Sequence, residues 1–355
     1  MATRESILER FKADQDRLVL QASDLSLGAL AEMVDSKTID LDPSFQRRDR
    51  WSTEKQSALI ESFLLNVPVP PVYLAEEEYG RYSVVDGRQR LSAIHSFLKT
   101  GLELQSLETI TEVAGLSFAR LPPEIQNALK IRPYLRVIIL LRQTDPALKY
   151  EVFLRLNRGG EGMEPQEIRN VAFRGALNDL IYELAKNDFL RRQLKIEDKR
   201  SSAYRHMKDA EFVLRFFALS RTWRNFSGDL LAEMDKFMVD HRRVRDAEVS
   251  ALRDKYQLAI SAAEAIWGER AFQRPENDGW RDQALAGMFD AQMVAVSELA
   301  PQERTRAAHK RTHAIEQTRK LFNDKAFDQA VRQATNTPER VRYRITKVLD
   351  VLRSL

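Results

Sequence analysis

The sequence predicts an α+β protein on two observations. Roughly the first 140 residues alternate short β-branched runs with amphipathic stretches, and the rest reads as almost continuous helix with sparse glycine and proline. That change of texture divides the chain into an α+β lobe over residues 1–140 and a mainly α-helical lobe over 141–355. A chain of 355 residues can bury a sizeable core across two such lobes.

Within the first lobe, residues 39–41 read as a short strand. A helix over 54–66 follows, entered through the capping box Thr53-x-x-Gln56. Residues 71–75 and 81–85 form two strands joined by the acidic turn 76–80, because apolar β-formers flank a break that contains Gly80. Helical spacing then places Leu91, Ile94, His95 and Leu98 on one face, with Gly101 as the C-cap. A last strand covers 135–141. Beyond it, Asp145-Pro146 opens a helix in the N-cap, N1 manner, ending at Asn157-Arg158-Gly159-Gly160. Another helix starts at Pro165. Later ones cover 208–223, 229–266 with breaks, and 338–352 after the Thr337 cap.

With 43% hydrophobic and 30% charged residues, the composition is that of an ordinary globular protein. No apolar run reaches membrane-spanning length, and Met1-Ala2-Thr3-Arg4-Glu5 lacks the apolar core of a signal peptide, so a cytoplasmic protein with no membrane partner is expected. The absence of cysteine excludes disulfides, thiolate metal sites and cysteine nucleophiles. Five histidines show no paired-ligand pattern; His309 and His313 lie among Lys310, Arg311 and Arg319, where a cation is repelled.

The net charge of +4, with an isoelectric point near 9.1, is mildly basic. Basic residues gather in two places, Arg191, Arg192, Lys195, Lys199, Arg200 and Arg205, then Arg304, Arg306, Lys310, Arg311, Arg319 and Lys320. Either cluster could track a phosphate backbone, while the interspersed Glu197, Asp198, Glu303 and Glu316 fit routine helix-surface pairing.

The stretch richest in chemistry is Val84-Val85-Asp86-Gly87-Arg88-Gln89-Arg90-Leu91-Ser92, where a β-branched run meets a glycine turn and opens a helix. The first N–H groups of a helix lack internal partners, and the macrodipole adds partial positive charge there, so an anion is the natural guest. Gly87 lets the backbone come close, Arg88 and Arg90 offer guanidinium donors to phosphate oxygens, and Gln89 adds an amide. Asp86 repels a phosphate unless it holds a metal, a water or one of the arginines. The same spacing also fits a plain strand-turn-helix in which Asp86 caps residues 88–98 and the arginines are solvated.

Several elements recur together in the order of one family. They are Phe45-Gln46-Arg47-Arg48; Trp51; Glu61-Ser62-Phe63 with Pro68-Val69-Pro70-Pro71; Val85-Asp86-Gly87-Arg88-Gln89-Arg90-Leu91; Phe153-x-Arg155-Leu156-Asn157-x-Gly159-Gly160; and Gln166-Glu167-Ile168-Arg169-Asn170. Over roughly residues 20–220 the chain resembles the N-terminal domain of GmrSD-type modification-dependent restriction endonucleases, a ParB/sulfiredoxin-like domain. Weaker likeness continues through Arg205, Asp209 and Glu211 and over 327–345. The family's usual element reads Asp-Gly-Gln-Gln-Arg-Leu-Thr; here Arg88 replaces the first glutamine and Ser92 the threonine, and both keep donors in place.

The resemblance implies a ParB-like first lobe that binds and hydrolyses a nucleoside triphosphate, with Mg²⁺ or another divalent cation, in a restriction or phage-defence system. On this reading Asp86, Gly87, Arg88, Gln89 and Arg90 form the phosphate loop, Gln46 and Arg47 approach it from the first segment, and Asn157, Glu167, Arg169 and Asn170 line the other wall. Phosphoryl transfer needs charge neutralisation and a group that orients water, which casts Arg90 as part of a clamp and Asp86 or Glu167 as the metal or water carboxylate. Taken singly, Glu167 and Arg169 also fit a salt-bridged helix start, and Gln46 and Arg47 a polar loop. Two-part relatives carry a His-Asn-His-type nuclease in a C-terminal domain. No His-rich finger is legible after residue 220, so DNA cleavage would fall to the lobe around Asp86 or to a partner nuclease. The remaining alternatives are a DNA-binding domain and a non-catalytic, nucleotide-gated interaction module.

Overall fold

A mixed sheet in the order β1-β5-β3-β4-β2 carries the N-terminal part of the chain. The computed structural model describes residues 4, 6, 8, 9, 11, 12, 18–41, 51–144, 146–156, 165–198, 201–277 and 279–355. Strands β1 (Leu20–Ser26) and β5 (Tyr134–Leu140) pair antiparallel, β5 and β3 (Val72–Glu78) parallel, β3 and β4 (Arg81–Asp86) as a hairpin, and β4 and β2 (Ile39–Asp40) parallel. The central strands are apolar runs because they are covered. Val72, Leu74, Val84, Leu135 and Val137 are all buried in one core with Leu30, Ile60, Leu91, Ile94 and Phe97 from the helices.

The helices Leu27–Asp35, Thr53–Leu64 and Arg88–Lys99 pack on one another and supply those apolar faces. One polar group in this core has a distinct job. Glu61, buried on the Thr53–Leu64 helix, accepts backbone N–H groups from Glu108 (3.1 Å), Thr109 (2.7 Å) and Ile110 (2.9 Å). Those bonds, led by Ile110 and Thr109, hold its carboxyl below the ordinary glutamate range. Ser57, one turn earlier, accepts the N–H of Gln105 at 2.9 Å. The loop between the Arg88–Lys99 and Pro123–Ile131 helices is thereby stitched to this helix.

The chain divides into two compact units, 1–172 and 173–355. Helices Pro146–Leu156 and Pro165–Ala172, grouped by the sequence with the helical part, pack on each other and on β4 in the first unit. The second unit is helical apart from the small hairpin Arg274–Glu276 and Gly279–Arg281. Its central helix, Ala286–Ser297, is buried on every side from Gly287 to Val296.

Asp290 on that helix binds two guanidiniums. Arg215 reaches it in a fork (Nε to Oδ1 2.5 Å, Nη2 to Oδ2 2.7 Å), and Arg344 donates to Oδ2 at 2.5 Å. Burial and the neighbouring Arg215 charge push Arg344 below its ordinary value; for Arg215, burial acts downward too, but Asp290 outweighs it and leaves it raised. Arg344 also donates to the Ala330 and Thr335 carbonyls, closing the C-terminal end of Lys325–Arg332. Among the described residues, no helix is long and apolar enough to cross a membrane.

Candidate phosphate-binding turn

The turn starts with a defect in the hairpin. Tyr73 pairs with Asp86 but Leu74 with Val84, so Val85 is passed over and a bulge bends β4 just before Asp86. Gly87 follows as the N-cap of Arg88–Lys99, with φ 95° and ψ 14°. Glycine is required twice here. The left-handed backbone disfavours any side chain, and a Cβ would lie 2.4 Å from Cγ1 of Val72.

The helix begins without a side-chain cap and without a carboxylate in its first turn, which instead carries Arg88 and Arg90. Cations at a helix N-terminus oppose the macrodipole, so this start favours an added anion.

Arg90 is committed locally. Its Nη2 donates to Asp86 Oδ2 at 2.7 Å and its Nη1 to the Pro70 carbonyl at 3.2 Å, with the guanidinium 13% and the carboxylate 41% exposed. Of the roles left open for Asp86, holding an arginine is the one the geometry displays. Gln89 is also engaged, accepting the N–H of Trp51 at 3.1 Å. The Trp51 carbonyl in turn accepts from Gln56 at 2.9 Å. Gln56 was expected to complete a capping box with Thr53; the N-cap is Ser52, whose Oγ accepts from Lys55 N at 3.4 Å, which releases Gln56 for Trp51.

Glu167, Arg169 and Asn170 lie on Pro165–Ala172, which packs against β4, so they share a compact unit with Asp86. They are buried, not an exposed salt-bridged helix start. Glu167 and Asn170 are 0% and Arg169 1% exposed, and Gln166 links Asn170 (3.3 Å) and Arg169 (3.4 Å). Gln46, Arg47 and Asn157 lie outside the described residues. The residues that sequence reasoning missed are Gln56, Val72 and the Pro70 carbonyl. The proline run and Trp51 were visible as motifs, but their main-chain roles leave no side-chain signature.

Among the described residues, no group of three or more histidine, aspartate and glutamate side chains could hold a metal ion. The donor set at the turn, a glycine approach, a helix start and guanidiniums, fits a phosphate and does not form a metal cage.

The two basic clusters are largely spent on internal partners. Arg192 pairs with Glu264 (2.9 Å), Lys195 with Asp282 (2.7 Å) and Lys320 with Glu316 (3.0 Å). Arg191, Arg304, Arg306, Lys310 and Arg319 donate to the carbonyls of Ala185, Leu299, Arg353, Leu355 and Asn277. Lys199 and Arg200 lie outside the described residues.

Sheet, bulge and helix start together define an α+β domain with an anion-type turn. Residues 30–174 match the family model described as the GmrSD restriction endonuclease, N-terminal domain. The chain therefore carries a GmrSD-type N-terminal domain, and its matched range ends two residues past the boundary of the sheet-bearing unit at 172. Neither a curated protein nor a solved structure matches the chain. A domain of this type points to a restriction or defence system.

Proposed function

We propose that the first unit binds a nucleoside triphosphate at the turn from Asp86 to Arg90 and hydrolyses it as part of a DNA-modification-dependent restriction or phage-defence system. The observation that carries this reading is the start of Arg88–Lys99, a left-handed glycine followed by two arginines with no carboxylate in the first turn. The first-turn N–H groups and Arg88 neutralise phosphate oxygens, while Asp86 and the Pro70 carbonyl hold Arg90 in place. Mg²⁺ arrives on the triphosphate and shields its charge, which the chain alone does not do. Glu167, buried beside β4's packing partner, is the carboxylate left to orient water, since Asp86 is paired with Arg90. DNA and a separate nuclease chain are the partners such a system implies.

Release of inorganic phosphate from ATP, GTP, CTP and UTP with Mg²⁺ tests the reading directly. Turnover that is lost in Glu167→Gln while nucleotide still binds supports it. Binding without turnover in the unaltered protein favours a nucleotide-gated interaction module instead, a reading that the complete burial of Glu167 also favours. Failure to bind all four nucleotides would overturn both.

A further inference from the structure

Trp51 is held at both of its main-chain polar atoms by side chains from two helices. Its N–H donates to Gln89 Oε1 at 3.1 Å, and its carbonyl accepts from Gln56 Nε2 at 2.9 Å. The partners fix which way each amide points, because an N–H needs the oxygen end and a carbonyl needs the nitrogen end. Immediately afterwards Ser52 caps Thr53–Leu64, so the main chain is pinned over two successive residues.

Trp51 stands four residues after Arg47 and five after Gln46. Gln89 stands two residues after Gly87, in the first turn of the helix that forms the candidate phosphate site. The clamp therefore ties the exit of the Phe45-Gln46-Arg47-Arg48 element to the phosphate turn. Four residues of chain reach at most about 14 Å, so a fixed Trp51 confines Arg47 to a short radius around that turn. Without the clamp the same arginine would sample a much larger volume, and binding would have to recover the ordering cost.

We infer that Gln56 and Gln89 are positioning residues, which set the reach of Gln46 and Arg47 toward the phosphate turn; Gln89 acts through Trp51 in place of the ligand contact its motif position suggests. This rests on the reading of the turn as a nucleotide site.

The test uses the full chain and titrates Mg²⁺ with non-hydrolysable ATP and GTP analogues. Gln56→Leu touches no candidate ligand group, yet should weaken binding about threefold to tenfold, the worth of one lost hydrogen bond, with the melting temperature unchanged. In an Arg47→Ala background it should cost nothing further. Should Gln56→Leu melt early, Gln56→Glu keeps the shape and removes the donor. Hydrogen exchange at the Trp51 N–H gives a second readout, protected in Gln89→Glu, which keeps an acceptor, and fast in Gln89→Leu. Unaltered affinity in Gln56→Leu, losses that add to those of Arg47→Ala, or a Trp51 N–H equally protected in Gln89→Leu would each overturn the inference. Absence of binding in the unaltered protein would instead remove the nucleotide reading and leave exchange to judge the clamp.

Discussion

Two carboxylate–arginine arrangements, one in each unit, use the same chemistry under opposite conditions. Asp86 holds one arginine at a partly open turn, with its carboxylate 41% exposed, whereas Asp290 holds Arg215 and Arg344 with no exposure at all. Water can replace Arg90 around Asp86 at modest cost. Nothing can replace the guanidiniums around Asp290 without leaving a buried charge. An ion pair that can be given up is available to a ligand; one that cannot is a fastener. The Asp290 group joins the Ala286–Ser297 helix to Lys208–Thr222 and Pro338–Ser354, and belongs to the stability of the second unit.

The sharpest way to break this comparison is to neutralise both carboxylates in turn. Asp290→Asn should cost the second unit about 3 to 5 kcal/mol, because two buried guanidiniums lose their counter-charge. Asp86→Asn should cost about 1 kcal/mol or less, the scale of an exposed pair. Urea unfolding followed by circular dichroism measures both, and equal losses would erase the distinction between turn and fastener.

Next in size is Gly87→Ala. The substitution meets a left-handed backbone and a side chain 2.4 Å from Val72, so a loss of about 2 to 4 kcal/mol is expected. Combining it with Val72→Ala should recover the steric part and leave the backbone part. If Val72→Ala gives no recovery, the close approach is not what fixes glycine at this position.

Much of the local geometry was legible in the sequence. The β3–β4 hairpin, the junction at Gly87 and the helix closing before Gly101 follow from β-branched runs, a glycine and a 3.6-residue period, and the structure places them at Val72–Glu78, Arg81–Asp86 and Arg88–Lys99. Strand β1 was not legible, because Leu20–Ser26 is a polar, largely exposed edge without strand-like alternation. The bulge at Val85 is a property of pairing, not of residue type. Arg215, Asp290 and Arg344 are separated by 75 and 54 residues, so no window in the sequence contains the group. At the candidate site, the order Asp-Gly-Arg-Gln-Arg announced an anion-type turn. It did not announce that Arg90 and Gln89 are engaged with Asp86, Pro70 and Trp51, since those contacts depend on where β3 and the Thr53–Leu64 helix bring their backbones.

Glu61 extends the comparison to pH. Its carboxyl is held below the ordinary value of 4.5 by the N–H groups of Ile110, Thr109 and Glu108, so the folded state binds the proton less readily than the unfolded chain. The resulting stability is fully present above about pH 4.5 and is lost as pH falls through the lowered folded value. Glu61→Gln offers an amide where a carboxylate accepted three N–H groups, and should cost about 1 to 3 kcal/mol at neutral pH. Its loss relative to the unaltered protein should shrink as the solution is acidified from pH 5 to pH 3. A difference that stays constant over that range would mean the three bonds do not depend on the charge.

The smallest expected change in stability has the most to say about function. Arg88→Gln restores the residue usual at this place in the family element and removes a cation from the start of Arg88–Lys99. A cation there opposes the helix dipole by about 0.3 to 1 kcal/mol, so the variant should be slightly more stable in urea. The same guanidinium supplies a charge-assisted donor to the proposed phosphate, and its loss should weaken binding of the Mg²⁺–triphosphate about tenfold or more. Opposite signs in the two measurements are the signature of a residue kept for a ligand at a cost to the fold. Losses of stability and affinity together would instead place Arg88 among the fasteners, with Arg215 and Arg344.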